Sequence, residues 1–255
     1  MKTAFRTRVL QLAAILLLLA AWQFLPGKVV NQHFLPPLSE VLKTIFALLT
    51  ANELQRHILI SLKRIAGGLG VALVIGAPLG LLMGWYREFE QIVDAPLQAG
   101  RQISALALFP VFILLFGIGE LSKAIIIFWA AFWPILLNST VGVKHIDPVL
   151  IRSARSMGAG GWSLFLELIA PAAAPSIFTG IRLGASYAFM VLVAAEMVGA
   201  DAGLGFLVLN SQETFKIPEM YAAIITLCLF GLLINHLLLY AEKRATRWKQ
   251  LRAGA

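Results

Sequence analysis

The sequence is poor in charge and nearly devoid of cysteine. Of its 255 residues 13% are charged, whereas soluble domains carry about 25%. The single cysteine, Cys228, excludes an internal disulfide and a multi-thiolate metal site. With 59% apolar residues and a mean hydropathy of +0.83, a soluble fold of this size could not bury its apolar surface. Disordered chains, disulfide scaffolds and ordinary cytosolic enzymes are therefore excluded, and lipid remains as the solvent.

Two signatures of catalytic or metal chemistry are also missing. There is no Gly-x4-Gly-Lys-Ser/Thr loop, so we do not expect this chain itself to bind the phosphates of ATP. The four histidines, His33, His57, His145 and His236, are scattered along the sequence without metal-ligand spacing. We therefore predict a chain that is not an enzyme and that binds no cofactor or metal of its own.

Long apolar segments make up most of the remaining sequence. Six of them are long enough to cross about 30 Å of hydrocarbon at about 1.5 Å per residue. They cover residues 9–25, 65–85, 102–119, 123–140, 177–199 and 219–241. The sequence therefore predicts an all-α, polytopic membrane protein with six transmembrane helices in a single domain over residues 1–255.

The first apolar segment also fits a secretory signal peptide, because Lys2, Arg6 and Arg8 precede it. However, the segment ends in Trp22-Gln-Phe-Leu-Pro26, where no small-x-small cleavage pattern is present. We therefore expect this first helix to be retained.

The distribution of Lys and Arg favours one orientation in the membrane. With the N-terminus inside, 13 of these residues lie in predicted inner segments and 7 in outer segments. This bias predicts that both termini are cytoplasmic, and it explains the net charge of +8 without a nucleic-acid partner. Residues 38–50 have apolar positions at helical spacing, so we expect an amphipathic helix there, capped by Ser39 and lying on the outer interface.

Two spans contain small residues four positions apart, which is the spacing that lets membrane helices approach closely. These residues are Gly68, Ala72, Gly76, Gly80 and Gly84 in the second span and Gly180, Gly184 and Ala188 in the fifth. Both stripes predict tight helix packing, and they are also compatible with helices that slide during gating.

The fifth span contains two charged residues, Arg182 and Glu196. They lie about 21 Å apart along the helix, too far to pair with each other, but they project on the same face. This face is expected either to line a transport pathway, together with a proline kink in the third span, or to form hydrogen bonds between helices. The candidate pathway residues are Phe109, Pro110, Arg182, Ser186, Phe189 and Glu196.

The longest predicted inner loop covers residues 142–176. Asp147-Pro148 is a helix-start pattern and Gly158 is a stop signal, so the loop should contain a short helix. Prolines at its end predict a proline-bounded start of the fifth span. A helix held at the cytoplasmic surface suits contact with a soluble partner, and lipid headgroups are the alternative contact.

This loop resembles the coupling loop of bacterial ABC importer permeases, whose pattern is Glu-Ala-Ala, a glycine four residues later, and then Ile-x-Leu-Pro. The pattern falls on Arg152-Ser153-Ala154, Gly158 and Pro171, and it differs at Arg152, at Ser153 and in the residue before Pro171. The helix, the glycine and the proline are kept. The residues that the resemblance assigns to ATPase coupling are Arg152, Ser153, Ala154, Arg155, Gly158 and Pro171.

Other segments are similar to the branch of these permeases that transports nitrate, sulfonates, taurine and bicarbonate. They are residues 34–38, 61–65, 116–123, 178–182 and 195–205. They occur in the same order as in that branch, and the resemblance covers about residues 34–240.

The resemblance implies a homodimeric permease of the bacterial cytoplasmic membrane, with its pathway at the centre of the dimer. Two copies of an ABC ATPase subunit, which hold ATP and Mg²⁺, would dock on the inner loops. A solute-binding protein would deliver a small anionic solute from outside. The alternative is a secondary transporter that works without an ATPase, although the sequence shows no internal repeat of the kind common in such proteins.

Overall fold

The structure is a computed structural model, and it describes residues 2–245. This part of the chain forms eleven α-helices and one π-helical turn, with no β-strand. The helices are α1 (Lys2–Phe24), α2 (Leu38–Thr50), α3 (Glu53–Trp85), α4 (Arg87–Arg101), α5 (Ala105–Phe116), α6 (Glu120–Lys144), α7 (Pro148–Ser156), α8 (Gly161–Leu164), α9 (Ala170–Gly199), α10 (Leu204–Glu213) and α11 (Ile217–Ala245). The predicted all-α class is confirmed.

The structure supports part of the predicted set of membrane crossings. Four helical segments are long and apolar enough to cross a membrane: α3, α6, α11 and the continuous segment Gly161–Gly199. The pair α4 and α5, bent by 92°, is a fifth candidate if the two helices count as one span. The apolar part of α1, Val9–Phe24, is shorter than these spans. Length and composition therefore support four or five crossings, and the predicted total of six is not confirmed.

The third predicted span, residues 102–119, is divided differently in the structure. Its helical part, α5, has 12 residues, and residues 102–104 separate it from α4. Helix α4 was not predicted because it carries five charged residues and therefore does not stand out as an apolar run. The chain thus bends sharply between α4 and α5, at the start of the predicted span and before the kink expected at Pro110.

Helix α3 begins twelve residues before the predicted second span, within a segment that was assigned to an outer loop. Its first turns are polar overall, but Leu54, His57, Ser61 and Arg64 recur at helical spacing and are all buried. The helix extends because this face packs against the rest of the bundle, which overrides the low hydropathy of the segment.

The amphipathic helix predicted between the first two spans is confirmed as α2. Its predicted cap is wrong, because Pro37 occupies the N-cap position and Ser39 lies in the first turn. The backbone N–H of Ser39 donates to Oε1 of Gln23 at 2.9 Å, and Nε2 of Gln23 donates to Oγ of Ser39 at 3.1 Å. A side chain of α1 therefore accepts a hydrogen bond from one of the first backbone N–H groups of α2. Val41 and Leu48 are buried on the side that faces α11.

Helix α6 lies at the centre of the bundle, between α3 and α9. Both predicted stripes of small residues pack on it. A Cβ atom at Gly80 would lie 2.7 Å from Cβ of Ser139, and one at Gly184 would lie 2.9 Å from the carbonyl oxygen of Ala131. The backbones therefore approach closely, as expected for helices that gain little from apolar burial in lipid. The prediction of tight packing at these stripes is confirmed.

The start of the fifth span differs from the proline-bounded start that was predicted. Helix α8, the π turn Phe165–Ile169 and α9 form one continuous helix of 39 residues. Pro171 lies in the first turn of α9, and Pro175 lies inside the helix. Proline has no amide hydrogen, and its ring crowds the carbonyl group four residues earlier. The wider π turn directly before Pro171 accommodates this without ending the helix.

The bundle has two distinct ends. Helix α7 lies at the end where α3 and α6 finish, hereafter the α7 end, and the first turns of α3 and α6 lie at the opposite end. The predicted orientation would place the α7 end in the cytoplasm. That orientation rests on a count of Lys and Arg residues, and some of them lie outside the described part of the chain. The structure does not describe Met1, residues 246–255 and some N-terminal side chains. The affected cations are Lys2, Arg8, Arg247, Lys249 and Arg252.

We expect Gly80→Ala to destabilise the protein because the added methyl group would collide with the α6 backbone. Overpacking of this kind costs about 1–3 kcal/mol. Gly70 is a matched control on the same helix, since nothing lies within 4 Å of a Cβ atom there. Gly70→Ala should stabilise the helix by about 1 kcal/mol through its higher helix propensity. The midpoint of thermal unfolding in detergent should fall for Gly80→Ala and rise for Gly70→Ala, and equal shifts would contradict the close packing of α3 on α6.

Candidate functional site

Helix α7 stands between two long helices and has well-defined ends. The carboxylate of Asp147 accepts a hydrogen bond from the backbone N–H of Val149 at 2.8 Å, and Pro148 is the first helical residue. At the other end Gly158 adopts φ +89°, and its N–H donates to the carbonyl oxygen of Arg155 at 3.0 Å. The helix start and stop predicted from the sequence are thus confirmed.

The surface of α7 combines positive charge with exposed apolar side chains. Arg152, Ser153, Arg155 and Gly158 are exposed, and Ala154 is half-buried. Beside them Met157 is 81% exposed and Trp162 is also exposed. Large exposed apolar side chains next to cations are typical of a protein-binding surface. Pro171, the remaining predicted coupling residue, is exposed but belongs to α9.

A cluster of buried ionic groups lies at the opposite end of the bundle. Nη1 of Arg64, on α3, lies 2.9 Å from Oε1 of Glu196, on α9. Nε and Nη2 of Arg64 donate to the two carboxylate oxygens of Glu120, on α6, at 2.8 and 2.5 Å. The side chain of Arg64 is 5% exposed and that of Glu196 is 0% exposed, whereas that of Glu120 is 67% exposed. Since unpaired buried charges are costly, these contacts hold three helices together at this end.

The same carboxylate organises the start of α10. Oγ of Ser61 donates to Oε1 of Glu196 at 2.7 Å and accepts a hydrogen bond from the N–H of Leu204 at 2.9 Å. The N–H of Gly205 donates to Oε2 of Glu196 at 2.9 Å. These groups satisfy the first N–H groups of a helix, which have no partner within the helix itself. Glu196 therefore sits at the positive end of the α10 dipole, where a carboxylate is stabilised.

The loop before α10 is held by further contacts to α3. Nη1 of Arg64 donates to the carbonyl oxygen of Ala202 at 2.5 Å, and the N–H of Gly203 donates to Nδ1 of His57 at 3.0 Å. Gly203 has φ +127°, and a Cβ atom there would overlap the carboxylate of Glu196. Glycine at this position is therefore required by both backbone conformation and space.

Glu196 is a candidate residue from the sequence alone, whereas the residues that surround it carry no predicted role. Three of the segments that resemble the importer permeases, residues 61–65, 116–123 and 195–205, meet in this cluster. The signal was therefore present in the sequence as separate motifs. Their contact could not be deduced from the sequence because they are far apart along the chain.

Three of the predicted pathway residues share one cavity. Arg182, Ser186 and Phe189 line a space of about 270 Å³ between α9 and α11. Nη1 of Arg182 lies 3.4 Å from Oε2 of Glu242 on α11, and Oγ of Ser186 donates to the carbonyl oxygen of Arg182 at 3.2 Å. Part of the predicted face therefore borders a cavity, and its role in transport stays a prediction.

The other predicted pathway residues lie elsewhere. Phe109 is 4% exposed and packs in the core beside α6, while Pro110 is exposed on the same helix. Glu196 is buried in the ionic cluster. Within residues 2–245 no group of three His, Cys, Asp or Glu residues is arranged to hold a metal ion. The described contacts of Glu196 in that cluster are an ion pair with Arg64 and hydrogen bonds from Ser61 and Gly205.

Comparison with known proteins agrees with this architecture. Residues 76–247 match the family described as binding-protein-dependent transport system inner membrane component, which is more than half of the chain. A solved structure of the MetNI methionine ABC transporter in inward-facing conformations has a TM-score of 0.63 with 20% identity, covering 76% of this chain and 94% of that chain. This likeness shows a shared fold.

Curated relatives match over most of the chain. A putative ABC transporter permease of Methanocaldococcus jannaschii is 34% identical, covering 95% of this chain and 93% of the relative. The taurine transport permease TauC of Escherichia coli is 32% identical, covering 95% of this chain and 90% of the relative. The nitrate import permease NrtB of Synechocystis is 32% identical, covering 90% of this chain and 86% of the relative. The family match and these relatives show that the chain belongs to the inner membrane components of binding-protein-dependent transport systems.

Proposed function

We propose that this chain is the permease subunit of an ATP-driven importer for a small anionic solute of the nitrate, sulfonate, taurine or bicarbonate type. The observation that supports this most directly is the exposed, capped helix α7, which lies within the segment that matches the family. Two of the relatives named above are named for taurine and nitrate transport, and others are named for aliphatic sulfonates. These solutes share an oxyanion group.

In this proposal the chain acts in the cytoplasmic membrane with three kinds of partner. It pairs with a second copy of itself, it receives solute from a binding protein outside, and it docks two ATPase subunits at the α7 end. Residues 148–162 insert into a groove of the ATPase. The exposed Arg152 and Arg155 suit an acidic rim of that groove, and Met157 suits an apolar floor. ATP and Mg²⁺ belong to the partner subunit.

The structure offers a mechanical route from α7 to the opposite end. A short turn over residues 157–160 joins α7 to the continuous 39-residue helix Gly161–Gly199, which is about 58 Å long at 1.5 Å per residue. The far part of this helix contains Glu196, which is bonded to Arg64 in the ionic cluster. When the ATPase subunits close, a rigid-body movement of this helix would act on the ionic cluster. The movement would change the side of the membrane to which the transport pathway opens.

We propose that α9 lines the transport pathway, as the sequence suggested. The face with Arg182, Ser186 and Phe189 borders a cavity, which supports this proposal. Glu196, by contrast, has a positioning role, because all of its contacts are to groups that fix α3 and α10.

Energy coupling separates this function from a secondary transporter. Proteoliposomes that contain the chain, its ATPase and its binding protein should accumulate radiolabelled taurine or nitrate when ATP is enclosed on the ATPase side. A non-hydrolysable ATP analogue should abolish the uptake. Uptake that is driven by an ion gradient in vesicles without the ATPase would contradict the proposal and establish the alternative.

We expect Gly158→Val to uncouple ATP hydrolysis from transport. A β-branched residue is strained at φ +89°, so the end of α7 should distort while the membrane helices remain intact. Gly160 is a matched control in the same loop, since its backbone is extended and nothing lies within 4 Å of a Cβ atom there. Solute-stimulated uptake should fall at least tenfold for Gly158→Val and stay near wild type for Gly160→Val. Equal uptake in both variants would disprove the role of α7.

Neutralising Glu196 and Arg182 should give different results. Glu196→Gln leaves the buried Arg64 with one partner fewer, and we expect a loss of about 3 kcal/mol of stability and a lower thermal midpoint. Arg182→Gln removes a partly exposed ion pair worth about 0–1 kcal/mol, so its midpoint should change little while the KM for uptake rises severalfold. Glu213→Gln, at an exposed site at the end of α10, controls for charge. If Glu196→Gln lost uptake while its thermal midpoint stayed unchanged, Glu196 would be a pathway residue and not a positioning residue.

A further inference from the structure

A second cavity lies on another side of α9, where the bend between α4 and α5 meets α6. It has a volume of about 600 Å³. Arg101, the last residue of α4, and Ser104, which precedes α5, both line it. Its aromatic wall includes Trp129 and Trp133, which lie in the middle of α6. The cavity therefore lies between the bend that joins α4 to α5 and the middle of α6.

The charge in this cavity has one sign. Arg101 is the one charged side chain among the described residues that line it. No hydrogen bond or ion pair joins Arg101 to another described side chain. The indole N–H groups of Trp129 and Trp133 are buried donors without a partner among the described residues. Ser104, Asn138 and Tyr187 can both donate and accept hydrogen bonds, and the amide of Asn138 already donates to the carbonyl oxygen of Pro134 at 2.8 Å. A guanidinium in a cavity whose lining includes no carboxylate favours an anionic ligand, and its planar fork matches an oxyanion.

The backbone adds donors of the same kind. Helix α5 starts at this cavity, and the carbonyl oxygen of Ser104 accepts the first intrahelical bond, from the N–H of Leu108 at 3.2 Å. The side chain of Ser104 forms no cap hydrogen bond. The N–H groups of Ala105, Leu106 and Ala107 therefore have no partner within the helix. They form the positive end of the α5 dipole.

The aromatic wall positions Arg101 and suits the apolar part of a small solute. The rings of Trp129 and Trp133 pack edge to face, with centroids 5.2 Å apart. Gly100 packs against Trp133 so closely that a Cβ atom would lie 2.8 Å from its ring. This contact fixes the end of α4 on the wall and so places the neighbouring Arg101. An apolar cavity with a few converging polar groups is the usual form of a small-molecule site.

We propose that this cavity binds the oxyanion group of the transported solute, with Arg101 as its cationic partner and the first N–H groups of α5 as further donors. That the bound anion is the transported solute rests on the proposed function above. The phosphate of a lipid headgroup has the same chemistry, so the test separates the two sources.

The test uses the full-length chain in nanodiscs of phosphatidylcholine, without its partners. Methanesulfonate is the probe, and dimethyl sulfone is a neutral control of similar shape. Because Trp129 and Trp133 line the cavity, binding of methanesulfonate at constant ionic strength should change the tryptophan fluorescence in a saturable way. Dimethyl sulfone should produce no saturable change.

Variants of α4 identify the cation. Arg101→Gln should weaken the binding of methanesulfonate at least tenfold, and Arg101→Lys should retain part of the affinity because it keeps the charge. Arg87→Gln removes the same charge at the exposed start of the same helix and should bind as the wild type does. Equal affinity in Arg101→Gln and wild type, or an equal response to dimethyl sulfone, would overturn the proposal.

Nanodiscs that contain phosphatidylglycerol test the lipid alternative. The affinity for methanesulfonate should be unchanged in them. A tenfold loss would show that the anionic headgroup competes for the cavity, and it would overturn the assignment to the solute. ATP-dependent uptake is measured separately: uptake without binding at Arg101 would refute this site alone, whereas binding without ATP-dependent uptake would refute the proposed function alone.

Discussion

The side chain of Glu196 has no exposed surface, so bulk water cannot solvate its charge. It is stable there because Arg64, Ser61 and the first N–H groups of α10 all point at it. Arg64 in turn needs Glu120 and the carbonyl oxygen of Ala202 to occupy its remaining donors. Each group is satisfied only when α3, α6, α9 and the loop before α10 are all in place. The cluster therefore specifies how these elements meet as well as holding them there.

The packing of the long helices obeys a second constraint. Lipid offers no hydrophobic drive between helices, so contact must come from close approach of the backbones. Helix α6 meets this requirement on two sides, against the small residues of α3 and those of α9. Close contacts along α3 and α6 together with the ionic cluster make these two helices a rigid pair. A change of conformation is then easier where contacts are fewer, at the α4–α5 bend and around α7.

Much of the architecture could be predicted from the sequence, because apolar runs and small-residue stripes are local signals. The same is true of α7, whose Asp147-Pro148 start and Gly158 end depend on neighbouring residues alone. The errors have a common origin in tertiary context. Helix α3 extends through a polar segment because Arg64 finds buried partners, and the helix continues through Pro171 because a π turn relieves the clash. The cavity beside Arg101 was beyond sequence reasoning, since it depends on a 92° bend between α4 and α5.

Helix α1 is attached to the rest of the protein mainly at its C-terminal end. Gln23 bonds to Ser39, and Nε1 of Trp22 donates to the carbonyl oxygen of Pro36 at 3.2 Å. Its apolar residues before Trp22, from Val9 to Leu19, are exposed along almost their whole length. Little of the described chain packs along Val9 to Leu19 to set the angle of this helix, so its orientation depends on the thickness of the surrounding bilayer. Changes in lipid chain length would therefore reorient α1 while the core around α6 keeps its geometry.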